Sequence, residues 1–356
     1  MPVVSASRLE DFVADMARTG GSSDKEAGQI ARQLVGANLR GHDSHGVGMM
    51  PAYINALQFG KLSANQHVTL VQESGAMLLL DGNAGYGQVI GEEAMDLAIP
   101  VAKANGMCLM SLRNSHHLGR IGAWGEQATD AGLISIHWVN GITRMPSTAP
   151  FGGSDARFIT NPYCTAIPAS PDHPRMVLDM ATTKVAMGKL RVAYNKGTEV
   201  PPGCVIDSKG NPTLDPSVMY EEPLGAMLPM GDHKGYGLAL VCEILAGALS
   251  GGGTFLPGRS DGFSIINNML TILVDPERLC DRTALMAEVD TFIKHVKQSP
   301  PAPGVDEVMI PGDPERKSMA DRLANGVPVD DTSWEEMVQA AVQVGMDEAA
   351  ARAYAA

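Results

Sequence analysis

The sequence predicts an α/β chain that is not a Rossmann fold, with a mixed, strand-bearing centre between helix-rich ends. Three observations carry that expectation. Helical periodicity governs residues 5–40 and most of the chain beyond 285. Short apolar runs of strand length, separated by glycine and asparagine turns, fill the middle. The glycine cluster DGNAGYGQ (81–88) is spaced G-x-x-G-x-G and follows two strands. It is therefore not the G-x-G-x-x-G of a dinucleotide-binding βαβ unit, and no other stretch fits that fingerprint better. At 356 residues the chain is long for one core. The periodicities divide it into a helical domain, 1–67 plus 285–356, and an α/β domain, 68–284.

Taken in order, residues 5–40 read as two amphipathic helices. The first sets Leu9, Phe12, Val13 and Met16 on one face. The second opens with the capping-box spacing Ser23 to Glu26 and buries Ile30, Leu34 and Val35. RGHDSHGVGMMPAY (40–53) then packs His42, Asp43, Ser44 and His45 together, with Ser44 expected to cap a helix that Pro51 keeps irregular. Apolar runs at 68–71 and 76–80 are short strands, 88–104 is a helix, and 106–112 is a buried strand bounded by Asn105-Gly106. Residues 121–131 are helical and close at Gly132; 132–139 is a further strand, and turns dominate 140–163.

A brief strand at 176–178 leads into Asp179-Met-Ala-Thr182. The stretch 183–196 carries Lys184, Lys189, Arg191 and Lys196 without an acid, either as a solvated helix face or as a holder of phosphates. Residues 200–216 form a proline-glycine hairpin. His233 and Lys234 stand just before a glycine-flanked apolar helix, 236–250, expected to be buried; a lysine there can approach a phosphate. A strand at 267–274 and helices at 285–298, 314–325, 331–343 and 346–355 complete the chain.

Composition narrows the function. Acids outnumber bases 40 to 27, a net charge of −13 that argues against phosphate-neutralising nucleic-acid binding. The first twenty residues include Arg8, Glu10, Asp11 and Asp15, unlike a signal peptide or anchor. The segment 236–250 contains Glu243 and is too short to span a bilayer. The five cysteines lie far apart with no C-x-x-C pair, fitting reduced thiols of a cytoplasmic protein.

The stretch NSHHLGRIG (114–122) carries the strongest chemical signal. Asn114, Ser115, His116, His117 and Arg120 lie where a strand ends and a helix begins, beside free backbone N–H groups. No acid occurs from Ser111 to Gly125, a locally basic site in an acidic chain that points to a small anion. A bland histidine pair satisfied by backbone is the competing reading. Metal ligation by His42 and His45 lacks an H-E-x-x-H or a nearby third ligand.

Eight separated motifs then agree in order along nearly the whole chain: DSHGVGMMPAY (43–53), DGNAGYGQ, NSHHLGRIGAW, TNPY (160–163), LDMAT (178–182), VPPGCVIDSKGNPTLDP, HKGYGLAL and IPGDPE (310–315). By these the chain resembles the malate/L-lactate dehydrogenase family that lacks a Rossmann fold. The resemblance implies NAD- or NADP-dependent interconversion of a 2-oxo acid and a 2-hydroxy acid, on a largely antiparallel cofactor domain, in a homodimer. It implies His45 or His117 as the proton-transfer residue, with Ser44 in the first motif. It implies cofactor contacts at Leu178, Asp179, Met180, Ala181, Thr182, His233, Lys234, Asp313, Pro314 and Glu315, with Asn161 and Pro162 in a turn lining the same pocket. Two departures bear on the substrate. Met49 stands where several members have arginine, and Ile159 where the family usually has glycine. Met49 and Met50 then make a more apolar wall, favouring a bulkier or aromatic acid over malate, unless they simply pack in the core.

Hydride transfer to a ketone builds charge on its oxygen, so the reaction needs a proton donor that serves as base in reverse, a role suited to histidine. The substrate carboxylate needs a cation, preferably a guanidinium. With methionine at 49, Arg120 is the first candidate and Arg144 the second. The alternatives are a metal-dependent lyase or hydrolase built on His42, His45, His116 and His117, or a non-catalytic small-acid binding protein.

Overall fold

The computed structural model describes residues 1–259, 262 and 264–355. Residues 260, 261 and 263 of the expected α/β part, and Ala356 at the end of the expected helical part, lie outside the described residues. The chain opens with β1 (Val3–Val4), α1 (Ala6–Thr19) and α2 (Asp24–Leu39). Ser5 and Ser23 cap the two helices through the N–H groups three residues on. The box at α2 closes only halfway. Glu26 turns to the Ser22 hydroxyl and the Asn65 N–H, while the Ser23 N–H donates to Asn65 Oδ1.

Two 3-10 turns, Asp43–His45 and Val47–Met49, precede α3 (Met50–Gln58). Then follow β2 (Thr69–Ser74), β3 (Met77–Asp81), α4 (Gly87–Asn105), β4 (Met107–Ser115), α5 (Gly122–Asp130), β5 (Ile134–Ile142), β6 (Tyr163–Ile167) and β7 (Met176–Met180). The chain continues through α6 (Met187–Lys196), β8 (Val205–Ile206), β9 (Pro212–Thr213), β10 (Ala226–Met227) and α7 (His233–Cys242), which runs into a π-helical turn, Glu243–Ala248. It closes with β11 (Ile266–Val274), α8 (Arg282–Lys297), α9 (Asp313–Asn325), β12 (Val327–Pro328), α10 (Asp331–Val344) and α11 (Glu348–Ala353).

The main sheet has the order β2-β3-β4-β11-β5-β6-β7. Every neighbouring pair is antiparallel except β3 and β4, which α4 joins as a crossover. The fold is thus α/β with a mixed, largely antiparallel sheet. Strand alternation sends Cys108, Met110 and Leu112 of β4, Val139 of β5, and Cys164 and Ala166 of β6 under α4 and α5. A second core forms from the chain ends. Leu9, Phe12, Leu34, Tyr53 and Ile54 meet Trp334, Met337 and Val338, and the pairing of β1 with β12 ties the termini together. Helix α8 stands apart from that core: Ser170 donates to Asp290, and Lys294 pairs with Asp172 at 2.5 Å, so it leans on the β6–β7 connection. A third, small core of Leu190, Val200, Cys204, Val205 and Met227 joins α6 to the sheet β10-β8-β9.

The apolar segment 236–250 departs from the expected buried helix. Leu240, Val241, Ile244 and Leu249 are 44, 43, 53 and 60% exposed. The acid in their midst is what turns inward. Glu243 accepts from Asn140 Nδ2 (3.1 Å), Asn161 Nδ2 (2.7 Å) and the Phe255 N–H, fastening the π turn to the sheet face opposite α5. A buried carboxylate with three donors is satisfied, whereas the same carboxylate without them would have to stay in water.

Candidate active site

Asn38 of α2 sets the loop that carries His45. Its Oδ1 accepts from the Val47 N–H (2.8 Å) and its Nδ2 donates to Asp43 (2.7 Å), while Arg322 of α9 pairs with the same Asp43 at 2.5 Å. Ser44 lies inside a 3-10 turn and caps no helix, because the chain does not become α-helical until Met50. Its hydroxyl instead meets His45 Nδ1 directly, at 3.0 Å. The other histidine arrives from the sheet, as β4 ends at Ser115 and the His116 N–H bonds back to the Gly85 carbonyl.

The two loops bring His45 and His117 together, ring centroids 5.4 Å apart and 22° from parallel. Tyr53 Oη lies 2.6 Å from His117 Nδ1, and Gln88 Nε2 lies 2.9 Å from that Oη. His42 contributes from the rim, its Nε2 3.2 Å from Glu315 Oε1. His116 is buried edge-on against Tyr53, ring centroids 5.4 Å apart, with Nε2 accepting from the Ile265 N–H at 3.4 Å. Among the described residues no three His, Cys, Asp or Glu side chains are arranged to hold a metal ion.

Packing encloses both central rings while leaving each residue partly open to solvent. Burial lowers His45 to about 4; the Asp179 carboxylate works against that shift, and His42 and Arg120 add to it. Burial, with the neighbouring His45 and His116, holds His117 well below the ordinary histidine value. Both imidazoles are therefore neutral at pH 7.

Arg120 is 5% exposed, and its Nη2 pairs with Glu126 at 2.7 Å. Its Nη1 is buried and, among the described residues, has no hydrogen-bond partner. Arg144, the other candidate cation, is exposed two residues past β5, beside Gly262, and the structure shows no contact between it and the histidine pair. Met50 is fully buried in the helical core and forms no part of a substrate wall. Met49 does face open space: with Gly48, Ala52, Arg191 and Thr332 it lines a cavity of about 830 Å³ between α3, α6 and α10, whose walls include none of His45, His117 and Arg120. Ile159 fills the space a side chain at Gly141 would need, its Cδ1 2.1 Å from that Cβ position.

The residues of the expected cofactor pocket divide by what their side chains have left to offer. Asn161 is fully buried and its amide is consumed by the Gly141 N–H, Ala239 and Glu243, so it shapes the pocket without offering a group to it. Its neighbour Pro162 lends only its carbonyl, to Val139. Asp313 is likewise taken up, by Lys297, Arg316 and the Ile310 N–H. In β7 the alternation puts Asp179, which accepts from the Gly122 N–H at 2.7 Å, on the α5 face and Leu178 and Met180 on the other. The five-residue run 178–182 therefore cannot line one pocket from a single face. Beyond the strand come Ala181 and Thr182, and the buried Thr182 hydroxyl is unpartnered among the described residues; so is Glu315 Oε2 beside Pro314 in the first turn of α9. Backbone bonds from Met230 to Thr182 and from Lys184 to Leu228 hold the start of α7, with exposed His233 and Lys234, next to that strand end. An unpaired hydroxyl, an unpaired carboxylate oxygen and a lysine at a helix N-terminus suit a ligand bearing both hydroxyls and phosphates.

Tyr53, Gln88 and Glu126 were not singled out by the sequence. The first two end the motifs DSHGVGMMPAY and DGNAGYGQ, which is the signal that was available.

The sequence profile of the malate/L-lactate dehydrogenase family matches residues 4–338. Hydroxycarboxylate dehydrogenase B of Escherichia coli (strain K12) is 44% identical over 351 residues, covering 98% of this chain and 96% of that protein. L-lactate dehydrogenase of Cupriavidus necator is 41% identical over 294 residues, 83% of this chain and 84% of its own. The solved structure of sulfolactate dehydrogenase from Methanocaldococcus jannaschii superimposes with a TM-score of 0.86 at 32% identity, covering 98% of this chain and 99% of that one. These relatives are dehydrogenases, so neither the metal-dependent lyase or hydrolase nor the non-catalytic binding protein is favoured.

Proposed function

The chain belongs to the malate/L-lactate dehydrogenase family of 2-hydroxy acid oxidoreductases, and from that premise we propose a specific division of labour at its site. His45 moves the proton, His117 holds the substrate oxygen, and Arg120 takes the substrate carboxylate. The observation that carries this reading is the meeting of His45 and His117, from motifs seventy-two positions apart, 5.4 Å from one another. In the oxidising direction neutral His45 accepts the hydroxyl proton, and the nearby Asp179 charge stabilises the imidazolium that results. Arg120 Nη1 has a free N–H for a carboxylate oxygen in a dry setting where such a bond is strong. NAD or NADP, when bound, takes up or delivers the hydride. The residues proposed to hold it are Thr182, Lys234 and Glu315, with the backbone around Asp179. Met49, in place of a second cation, turns preference toward bulkier or aromatic acids.

Two further properties belong to the same reading. A second copy of the chain covers the exposed face of α7 and the π turn. The five cysteines are free, which supports a cytoplasmic setting, and among the described residues no helix is long and apolar enough to cross a membrane.

The test is absorbance at the reduced-nicotinamide band with a panel of 2-oxo acids, each cofactor in turn, with and without chelator. Turnover that chelator leaves unchanged, with aromatic or branched acids ahead of oxaloacetate, is expected. Absence of turnover with both cofactors across the panel would overturn the reading.

A further inference from the structure

Gln88 sits in the first turn of α4 and is 1% exposed. Its amide nitrogen lies 2.9 Å from Tyr53 Oη and 3.5 Å from the carbonyl oxygen of His117. A carbonyl oxygen only accepts, so the part of the amide facing it is the NH2, and that NH2 also donates to Tyr53. Tyr53 has one hydrogen, and it is left for His117 Nδ1, 2.6 Å away. A ring nitrogen that accepts carries no proton. Neutral His117 therefore bears its hydrogen on Nε2.

The approach is built in. A Cβ at Gly87 would stand 2.0 Å from the His117 carbonyl oxygen, so only glycine lets α4 begin against this turn. Gln88 Oε1 is buried and, among the described residues, unpartnered, a cost that an apolar residue at this position would avoid. The amide is thus held for what its nitrogen does.

We propose that Gln88 is a positioning residue which, through Tyr53, fixes His117 as an Nε2–H donor toward the substrate oxygen. This rests on the reading above in one respect, that His117 faces the substrate. It adds the reason two adjacent neutral histidines do not exchange tasks. His117 is wired as a hydrogen-bond donor, and His45, whose Nδ1 partner is a serine hydroxyl able to donate or accept, remains the ring that can change protonation.

The experiment reads the tautomer directly and needs no turnover. Full-length protein labelled with 15N-histidine is examined by long-range 1H–15N correlation, with the His117 signals assigned by His117→Gln. The expected result is an unprotonated Nδ1 and a protonated Nε2. Gln88→Glu exchanges the donor for a group that accepts, so Tyr53 turns its hydrogen to it, accepts from His117 Nδ1, and the tautomer inverts. Gln88→Met, the milder change, leaves Tyr53 without direction and gives a mixture. In Gln88→Glu, kcat/KM for the 2-oxo acid falls on the order of tenfold, one lost hydrogen bond, with the cofactor KM unmoved. A protonated Nδ1 in the wild type, or an unchanged His117 tautomer in both variants, overturns the proposal. A protein with the expected tautomers and no dehydrogenase activity would instead sink the functional reading and leave this one standing.

Discussion

His45 and His117 share a pocket but not an environment, and their variants should separate. His45 has the Asp179 carboxylate in electrostatic reach, which favours its imidazolium form. His117 is surrounded by other histidines and a tyrosine, which disfavour it. His45→Ala should lower kcat by about a hundred- to ten-thousandfold, the usual cost of a lost acid–base group. His117→Ala should act mainly on KM for the acid. The pH dependence follows from the depressed value at His45, about 4 in the free protein. The base form persists as pH falls until the ring is protonated near that value. kcat/KM for oxidation should therefore be flat from about pH 8 down to pH 5, with no inflection at the ordinary histidine pKa of about 6.5. A profile that breaks near 6.5, or a His117→Ala variant that loses kcat while His45→Ala keeps it, would reverse the assignments. Both histidines were legible in the sequence because each sits at a glycine turn in a chemically dense motif. Their mutual distance was not, since it depends on Asn38 and Arg322 pinning the His45 loop to α2 and α9 and on Tyr53 of α3 reaching His117 just beyond the end of β4.

At the scale of elements, most helices and the longer apolar strands were legible because apolar spacing sets their type and approximate bounds, whereas β6, with Tyr163, Thr165 and Ala166 in a short mixed run, was not. What spacing could not give was which face of α7 points inward. Hydrophobicity argued that Leu240, Val241 and Ile244 are core, but three amide and N–H donors waiting for Glu243 outweigh that preference. A buried helix and a half-exposed one with an inward acid read alike until the donors' positions are known. The same limit applies at Ser44, where the capping residue type was present but the chain takes a 3-10 turn. The start of α7 carries its own prediction. Lys234 is exposed and has no acid in the first helical turn to neutralise it. Lys234→Ala should leave the thermal unfolding midpoint unchanged and raise the cofactor KM about tenfold or more, as expected for loss of a charge-assisted bond worth about 1.5–3 kcal/mol. An unaltered KM would make Lys234 a surface residue and nothing else.

At the scale of the molecule, periodicity gives the helix-rich character of both chain ends, but not that α8 leans on the β6–β7 connection instead of joining the helical core. The small α6–β10 core was not legible either, because its strands are two residues long and leave no period to detect. The exposed stripe Leu240, Val241, Ile244 and Leu249 bears on the proposed second copy. Phe151, 55% exposed, extends it at the His233 end and Leu256, 50% exposed, follows the π turn. Six exposed large apolar side chains on and beside one helix of an acidic protein of net charge −13 are unlike singly scattered surface apolar residues, and large exposed apolar patches mark interfaces. Recovering the exposed half of each large side chain is worth about 1 kcal/mol apiece, and two-fold symmetry doubles every contact made. Sedimentation velocity should therefore give a species of twice 37.5 kDa. Ile244→Glu places a charge at the middle of the stripe, where it remains solvated in a monomer but is buried without a partner in a dimer, at a cost of several kcal/mol. That variant should sediment as a folded monomer. Because the same helix presents His233 and Lys234 at its start, the monomer should also bind the nicotinamide cofactor more weakly than the wild type. A wild-type monomer, or an Ile244→Glu variant that still dimerises, would remove the second copy from this face.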